Sequence, residues 1–146
     1  MFNSVLIAVD GSEHAKKALE VACQLVAKEN ATLHILHIPE ALSHETTLVW
    51  GIGAIALESS REVLEEAGKS VIERASEAAR GMGASHVETH LSKGDPARNI
   101  LRHAEKLGVD AIVMGSRGLG DFAGLMMGSV SHKVTHSAKC TVISVR

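Results

Sequence analysis

Gly115, Gly118, Gly128 and Ser129 stand in the spacing G-x2-G-x9-G-S, between the apolar run Ala111-Ile112-Val113-Met114 and a short helical pattern. Five of the thirteen glycines fall in this one stretch. With so little side-chain bulk, backbone N–H groups come close to whatever the loop wraps, and the ligand such loops suit is a phosphate. The loop is not a Walker A motif, because no Gly-Lys-Ser/Thr occurs. It is not a dinucleotide fingerprint either. Gly118-Leu119-Gly120 is followed by Asp121-Phe122-Ala123, which puts Gly124 one place late for G-x-G-x-x-G. Arg117 and Asp121 are its charged side chains, so an anion would rest on backbone dipoles plus a metal, with micromolar rather than nanomolar affinity. The plain alternative is a flexible connection between a strand and a helix.

Other residue types invite chemistry less strongly. Asp10-Gly11-Ser12 ends the first apolar run, and its carboxylate serves equally as a ligand group or as a turn residue. Nine histidines raise the question of a metal. His132 and His136 are spaced i, i+4 on the last helical pattern, but no Glu completes an HExxH. His34 and His37 share one strand, and His86 and His90 share one face of another. All are expected to be solvated or internally satisfied imidazoles, and no metal ligand is assigned. Cys23 and Cys140 form no CxxC and read as small buried thiols. No residue is assigned a catalytic role.

The bulk properties narrow the function classes. A length of 146 residues suits one domain over residues 1–146. Hydrophobic residues make up 45%, enough for a real core. A net charge of −2 leaves no basic excess to hold a nucleic-acid backbone, and the near absence of aromatics removes a base-stacking platform. No apolar run approaches the roughly 20 residues needed to span a bilayer. The start, Met1-Phe2-Asn3-Ser4-Val5, lacks a signal-peptide layout, so a cytoplasmic location is expected.

Strand and helix patterns alternate along the chain. Val5–Val9 is a wholly apolar strand, followed by a helix that Ser12 can cap and that carries Ala15, Ala18, Leu19, Ala22 and Val26 on one stripe. Residues 31–38 form a second strand stopped by Pro39. Residues 39–54 read as a mobile connection. A long helix follows, with an apolar stripe of Leu57, Leu64, Ala67, Val71, Ala75, Ala78 and Met82, ended by Gly81 and Gly83. Residues 86–91 alternate, as in a strand with one wet face. Asp95 caps a helix with Pro96 at its first position, and Gly108 closes it. Residues 111–114 are a fourth apolar strand, Val130 and Val134 mark a short helix, and residues 140–146 are a fifth strand.

This alternation predicts an α/β fold with an open five-stranded parallel sheet and four helices on its two faces. Apolar strands one and four belong in the centre, alternating strands three and five at the edges. Right-handed crossovers then give the order 3-2-1-4-5. The winding direction reverses between strands one and four, and open α/β sheets bind ligands outside that point. The glycine loop therefore lands at the switch point without any use of its glycines.

The glycine spacing, the Val-Asp-Gly-Ser end of strand one, the Gly94-Asp95-Pro96 turn and the terminal Val142-Ile143-Ser144-Val145-Arg146 resemble the nucleotide-binding branch of the universal stress protein family, over essentially the whole chain. Thr141 departs from the pattern, since many members have proline there. The resemblance implies a Rossmann-like fold of the adenine nucleotide alpha hydrolase type. It implies that Gly115, Arg117 and Gly118 surround phosphates and ribose, and that Gly128, Ser129, Val130 and Ser131 offer N–H and hydroxyl groups. Ala8, Val9, Ile38 and Met114 match positions that wall the adenine, and Asp10 an acid beside ribose and adenine. The bound species in that family is ATP, ADP or AMP, in some members with Mg²⁺. Members commonly dimerise through the last strand, so a homodimer is expected.

Three functions follow from this reading. The first is a regulatory, stress-response adenine-nucleotide binder that reports to a regulated protein. The second is a slow ATPase or phosphoryl-transfer enzyme using the same site. Phosphoryl transfer needs positioned charge, and only Arg117, Asp10 and Lys133 or His132 are near enough to supply it. The third is a nucleotide-free dimeric scaffold, which the intact motif disfavours. A response-regulator receiver is excluded, because Asp10 has no acidic neighbour and Asp95 is better explained as a cap.

Overall fold

The computed structural model describes residues 2–27, 30–39, 61–117 and 128–146, with side chains of the second helix from residue 65. Its elements run β1 (Ser4–Val9), α1 (Glu13–Leu25), β2 (Thr32–His37), α2 (Arg61–Gly81), β3 (His86–Leu91), α3 (Pro96–Leu107), β4 (Ala111–Gly115), α4 (Ser129–Ser137) and β5 (Thr141–Val145). The five strands form one parallel sheet in the order β3-β2-β1-β4-β5. This is the order expected from strand hydrophobicity and crossover handedness.

The alternate residues of the central strands feed two cores. Val5, Ile7 and Val9 of β1, with Leu33 and Ile35 of β2, pack under α1 and α2 through Ala18, Leu19, Ala22, Val71, Ala75 and Ala79. On the other face Leu6, Leu36, Ile112 and Met114 pack under α3 and α4 through Ala97, Ile100, Ala104 and Val134. Strands buried on both faces must be apolar at every position, which is why β1 and β4 show no alternation. The small alanines of α1 and α2 let these helices lie close on the sheet.

Helix ends follow local chemistry. Ser12 Oγ accepts the Ala15 N–H at 3.2 Å to cap α1. Asp95 Oδ2 accepts the Arg98 N–H at 2.9 Å, Pro96 takes the first position, and Gly108 ends α3 in the left-handed region at φ 62°. These three roles match the sequence expectation. Asp110 Oδ2 accepts the N–H groups of Asn3 and Ser4 at 2.7 and 2.9 Å, which ties the start of β1 to that of β4.

Two expectations need correction. Met82 does not belong to the buried stripe of α2. The helix ends at Gly81, Met82 lies in the turn beyond it at 39% exposure, and Ala79 takes the last buried place. Strand β3 does not have one wet and one dry face. Val87 and His90 are each half-buried, on opposite faces, while Leu91 is exposed. An edge strand only partly covered by helices has no side that is wholly wet or dry. Leu57, the side chain of Leu64 and the connection at 39–54 beyond Pro39 lie outside the described residues. Among the described residues no helix is long and apolar enough to cross a membrane.

Candidate functional site

The site is built where β1 and β4 end side by side. Val9, Ile38 and Met114 are buried there, and Ala8 is half-buried. Asp10 Oδ1 accepts the Ser12 N–H at 2.9 Å, and Gly11 takes φ 84°. This carboxylate-stabilised turn suits Asp-Gly-Ser, because a left-handed φ is costly for residues with a Cβ. It swings the chain into α1, whose first turn carries His14 over the end of β4.

Gly115 lies directly beneath His14. A Cβ at Gly115 would stand 2.6 Å from His14 Cβ and 2.9 Å from the His14 carbonyl carbon. Close approach of two backbones, not an unusual φ, therefore demands glycine at 115. Beyond it the chain is clamped. Ser116 N–H donates to the Val145 carbonyl at 2.8 Å, and Gly128 N–H donates to the Ser116 carbonyl. Ser131 Oγ donates to the Gly115 carbonyl at 2.7 Å. The glycine loop thus leaves and returns at one pinned base, with the first turn of α4 beside Gly115. Gly118 and the remainder of the loop to 127, Met126 and Met127 included, lie outside the described residues.

The electrostatics of this base favour an anion. Gly128 caps α4 without a side-chain bond, and the first backbone donor of the helix taken internally is His132 N–H, by the Gly128 carbonyl at 2.9 Å. Helix geometry leaves the first-turn amides without an intrahelical acceptor, at the positive end of the helix dipole. Arg117, half-buried, places Nη2 3.3 Å from His14 Nε2. A guanidinium only donates, so His14 Nε2 accepts and its proton sits on Nδ1. Among the described residues, that Nδ1 and Ser116 Oγ are both buried with no hydrogen-bond partner. Two unsatisfied polar atoms beside one clamped loop are a cost that a polar ligand or water would relieve.

Catalytic equipment is thin. His37 donates Nδ1–H to the Val9 carbonyl at 2.7 Å, and burial holds its pKa below the ordinary imidazole value, against the pull of that bond and of Asp10. It is a neutral, structural imidazole. Burial pushes the Cys23 thiol up to about 11, so it is inert, and Cys140 shifts the same way; both are free thiols. The arrangement can bind and orient an anion. Among the described residues it presents no acid–base pair aimed into the crevice.

The structure brings Ala8, Val9, Asp10, Met114, Gly115, Arg117, Gly128, Ser129, Val130 and Ser131 to one end of the sheet, with Ile38 at the adjoining end of β2. Gly128 and Ser131 differ in role from the expectation, the Gly128 N–H being committed to the Ser116 carbonyl. The Ser131 hydroxyl hydrogen is committed to Gly115, which leaves its backbone amide as the group it can offer. His14 and Ser116 are neighbours of the site that residue spacing does not single out. Only the positive-φ turn at Gly11 and the contact at Gly115 reveal them.

Comparison with known proteins places this geometry. The model of the universal stress protein family matches residues 1–146. The universal stress protein YxiE of Bacillus subtilis is 38% identical over 149 residues, covering the whole of both chains. Among solved structures, the universal stress protein UspA of Lactobacillus plantarum superposes with a TM-score of 0.76 at 24% identity, over 99% of this chain and 97% of that one. A universal stress protein in complex with cAMP superposes at 0.73 with 25% identity, again over 99% and 97%. The match along the full length, in sequence and in fold, means that this chain belongs to the universal stress protein family.

Proposed function

We propose that the chain is a regulatory adenine-nucleotide binder, holding ATP, ADP or AMP in the crevice outside β1 and β4. The observation that carries this reading is the contact at Gly115. There α1 lies so close on β4 that no side chain fits, the first turn of α4 is tied to the same residue through Ser131 Oγ, and the loop base stands at a helix N-terminus. The resemblance to a cAMP-bound relative supports the adenine class. The residues present fit such a ligand. Ala8, Val9, Ile38 and Met114 supply an apolar wall for a base. Gly115, Arg117, Gly118 and residues 129–131 would supply donors for phosphate and ribose, whereas the Gly128 N–H is committed to the Ser116 carbonyl and closes the loop base. Asp10 stands beside them as an acceptor for a sugar hydroxyl or a ligand for Mg²⁺.

The nucleotide is sensed rather than consumed. A bound nucleotide supplies charge and a rigid base. Among the described residues the site supplies backbone donors and one arginine, without a positioned base. Occupancy would then report the nucleotide pool to a regulated protein in the cytoplasm, from a homodimer paired along β5. Native mass spectrometry of the purified protein, followed by denaturation, tests the class. Co-purified adenine nucleotide is expected. If no nucleotide is released, and ATP with Mg²⁺ raises neither mass nor melting temperature, the reading fails.

A further inference from the structure

A second cluster of polar side chains lies on β2 and β3, beneath α3 and away from the crevice of β1 and β4. His34 interrupts the otherwise apolar Leu33–Leu36 run of β2 and is only 6% exposed. Its Nδ1 lies 3.1 Å from His90 Nε2 and 3.3 Å from Glu88 Oε2. One ligand atom from each of the three residues falls within 4.8 Å of the others. His34 pairs with Glu88 in the sheet register and Leu36 with His90, so two adjacent rigid strands set these positions. Tetrahedral zinc with Zn–N near 2.0–2.1 Å separates its ligand atoms by about 3.3 Å. Two of the three edges already match, and the largely exposed Glu88 side chain can close the third.

The surroundings fit a metal centre. His103 of α3 lies beside His90, its ring tilted by 59° with centroids 5.8 Å apart. Its Nδ1–H donates to the Asn99 carbonyl at 2.9 Å, which fixes the ring and leaves the Nε2 lone pair. Glu88 adds a negative charge and opens the cluster to solvent, which gives an ion its path in. Two imidazoles with one carboxylate favour a borderline transition metal over Mg²⁺ or Ca²⁺.

The geometry points to a Zn²⁺-class divalent metal site formed by His34, Glu88 and His90, with water in the remaining position. Binding takes His34 with its proton on Nε2 and frees Nδ1 for the ion. The ion would clip the edge strand β3 onto β2, independently of any nucleotide.

Chelator-stripped, nucleotide-free protein titrated with Zn²⁺ in a calorimeter tests the site, with Co²⁺ absorption as an optical probe of coordination. One ion per chain, a raised melting temperature and the intense Co²⁺ bands of a four-coordinate site are expected. Glu88→Gln and His90→Asn should each weaken binding at least about tenfold, whereas a His132→Asn/His136→Asn double variant should bind like the parent. Glu88 is exposed, so its variant remains informative if the His90 variant fails to fold. Equal affinity in the parent and Glu88→Gln, or loss of binding in the double variant, would overturn the proposal.

Discussion

At the residue scale, Gly115 and His37 show how single groups constrain the crevice. Gly115→Ala places a methyl carbon 2.6 Å from His14 Cβ and 2.9 Å from its carbonyl carbon. Backbone cannot step aside as a flexible side-chain tip can, so α1 must move off β4. A loss of about 1–3 kcal/mol in a urea melt is expected, the range for overpacking a tight contact. Unchanged stability would mean that α1 and β4 are not locked together. His37 makes a prediction in pH. Its folded pKa lies below the ordinary 6.5, because burial outweighs the Val9 bond and the Asp10 charge. The unfolded chain therefore binds the extra proton first. Its contribution to stability is complete above pH 6.5 and is lost as pH falls from there through the folded value. His37→Asn keeps a donor for the Val9 carbonyl but cannot titrate. Melting curves between neutral pH and the acid side should show a shallower pH slope for this variant. An identical slope would place the acid sensitivity elsewhere.

At the element scale, the turn from β3 into α3 depends on Asn99, which is 4% exposed. Its Nδ2 donates to the Lys93 and Asp95 carbonyls at 2.9 and 2.8 Å, and its Oδ1 accepts from Ser92 Oγ at 2.8 Å. Asn99→Ala leaves buried acceptors unpaired and should cost about 1–3 kcal/mol in a denaturant melt. Asn99→Ala melting like the parent would show that Gly94 and the Asp95 cap suffice to hold the turn. Residue spacing shows nothing of Asn99, because a single polar residue on a helical stripe looks like an interruption. Spacing does show Asp95, Pro96 and Gly108, whose roles are local to the chain. The same division governs the site. Gly115 and Gly128 are legible because a glycine spacing is a local pattern, and β1 and β4 because doubly buried strands are apolar throughout. His14 reaches Gly115 only through the packing of α1 on β4, and His34 meets His90 only through sheet register, which couples residues 56 apart. Of the histidines, the i, i+4 pair stood out in the sequence. His132 and His136 are exposed and merely stack, with centroids 6.4 Å apart, whereas the cross-strand pair reaches ligand distance.

At the scale of the whole molecule, the sheet order among the described residues leaves two edges, β3 and β5. An uncovered edge presents unpaired backbone groups to a partner strand. On β5, Val142, Ile143 and Val145 are half-buried and reach both cores, while Thr141 and Ser144 are exposed. The edge is therefore short and uncharged, without a charged side chain between Thr141 and Val145 to discourage pairing. An antiparallel match of two β5 strands would extend the sheet to ten strands and place two loop bases on one assembly, because Ser116 N–H bonds to the Val145 carbonyl. Dimerisation and the nucleotide loop would then share a strand, so occupancy of one could bias the other. Ser144→Lys puts a charge on the exposed edge without touching either core. Light scattering at micromolar concentration should give a dimer mass for the parent and a monomer mass for the variant. A parent that stays strictly monomeric, with or without ATP, would remove β5 as the pairing edge and with it the link between assembly and the loop.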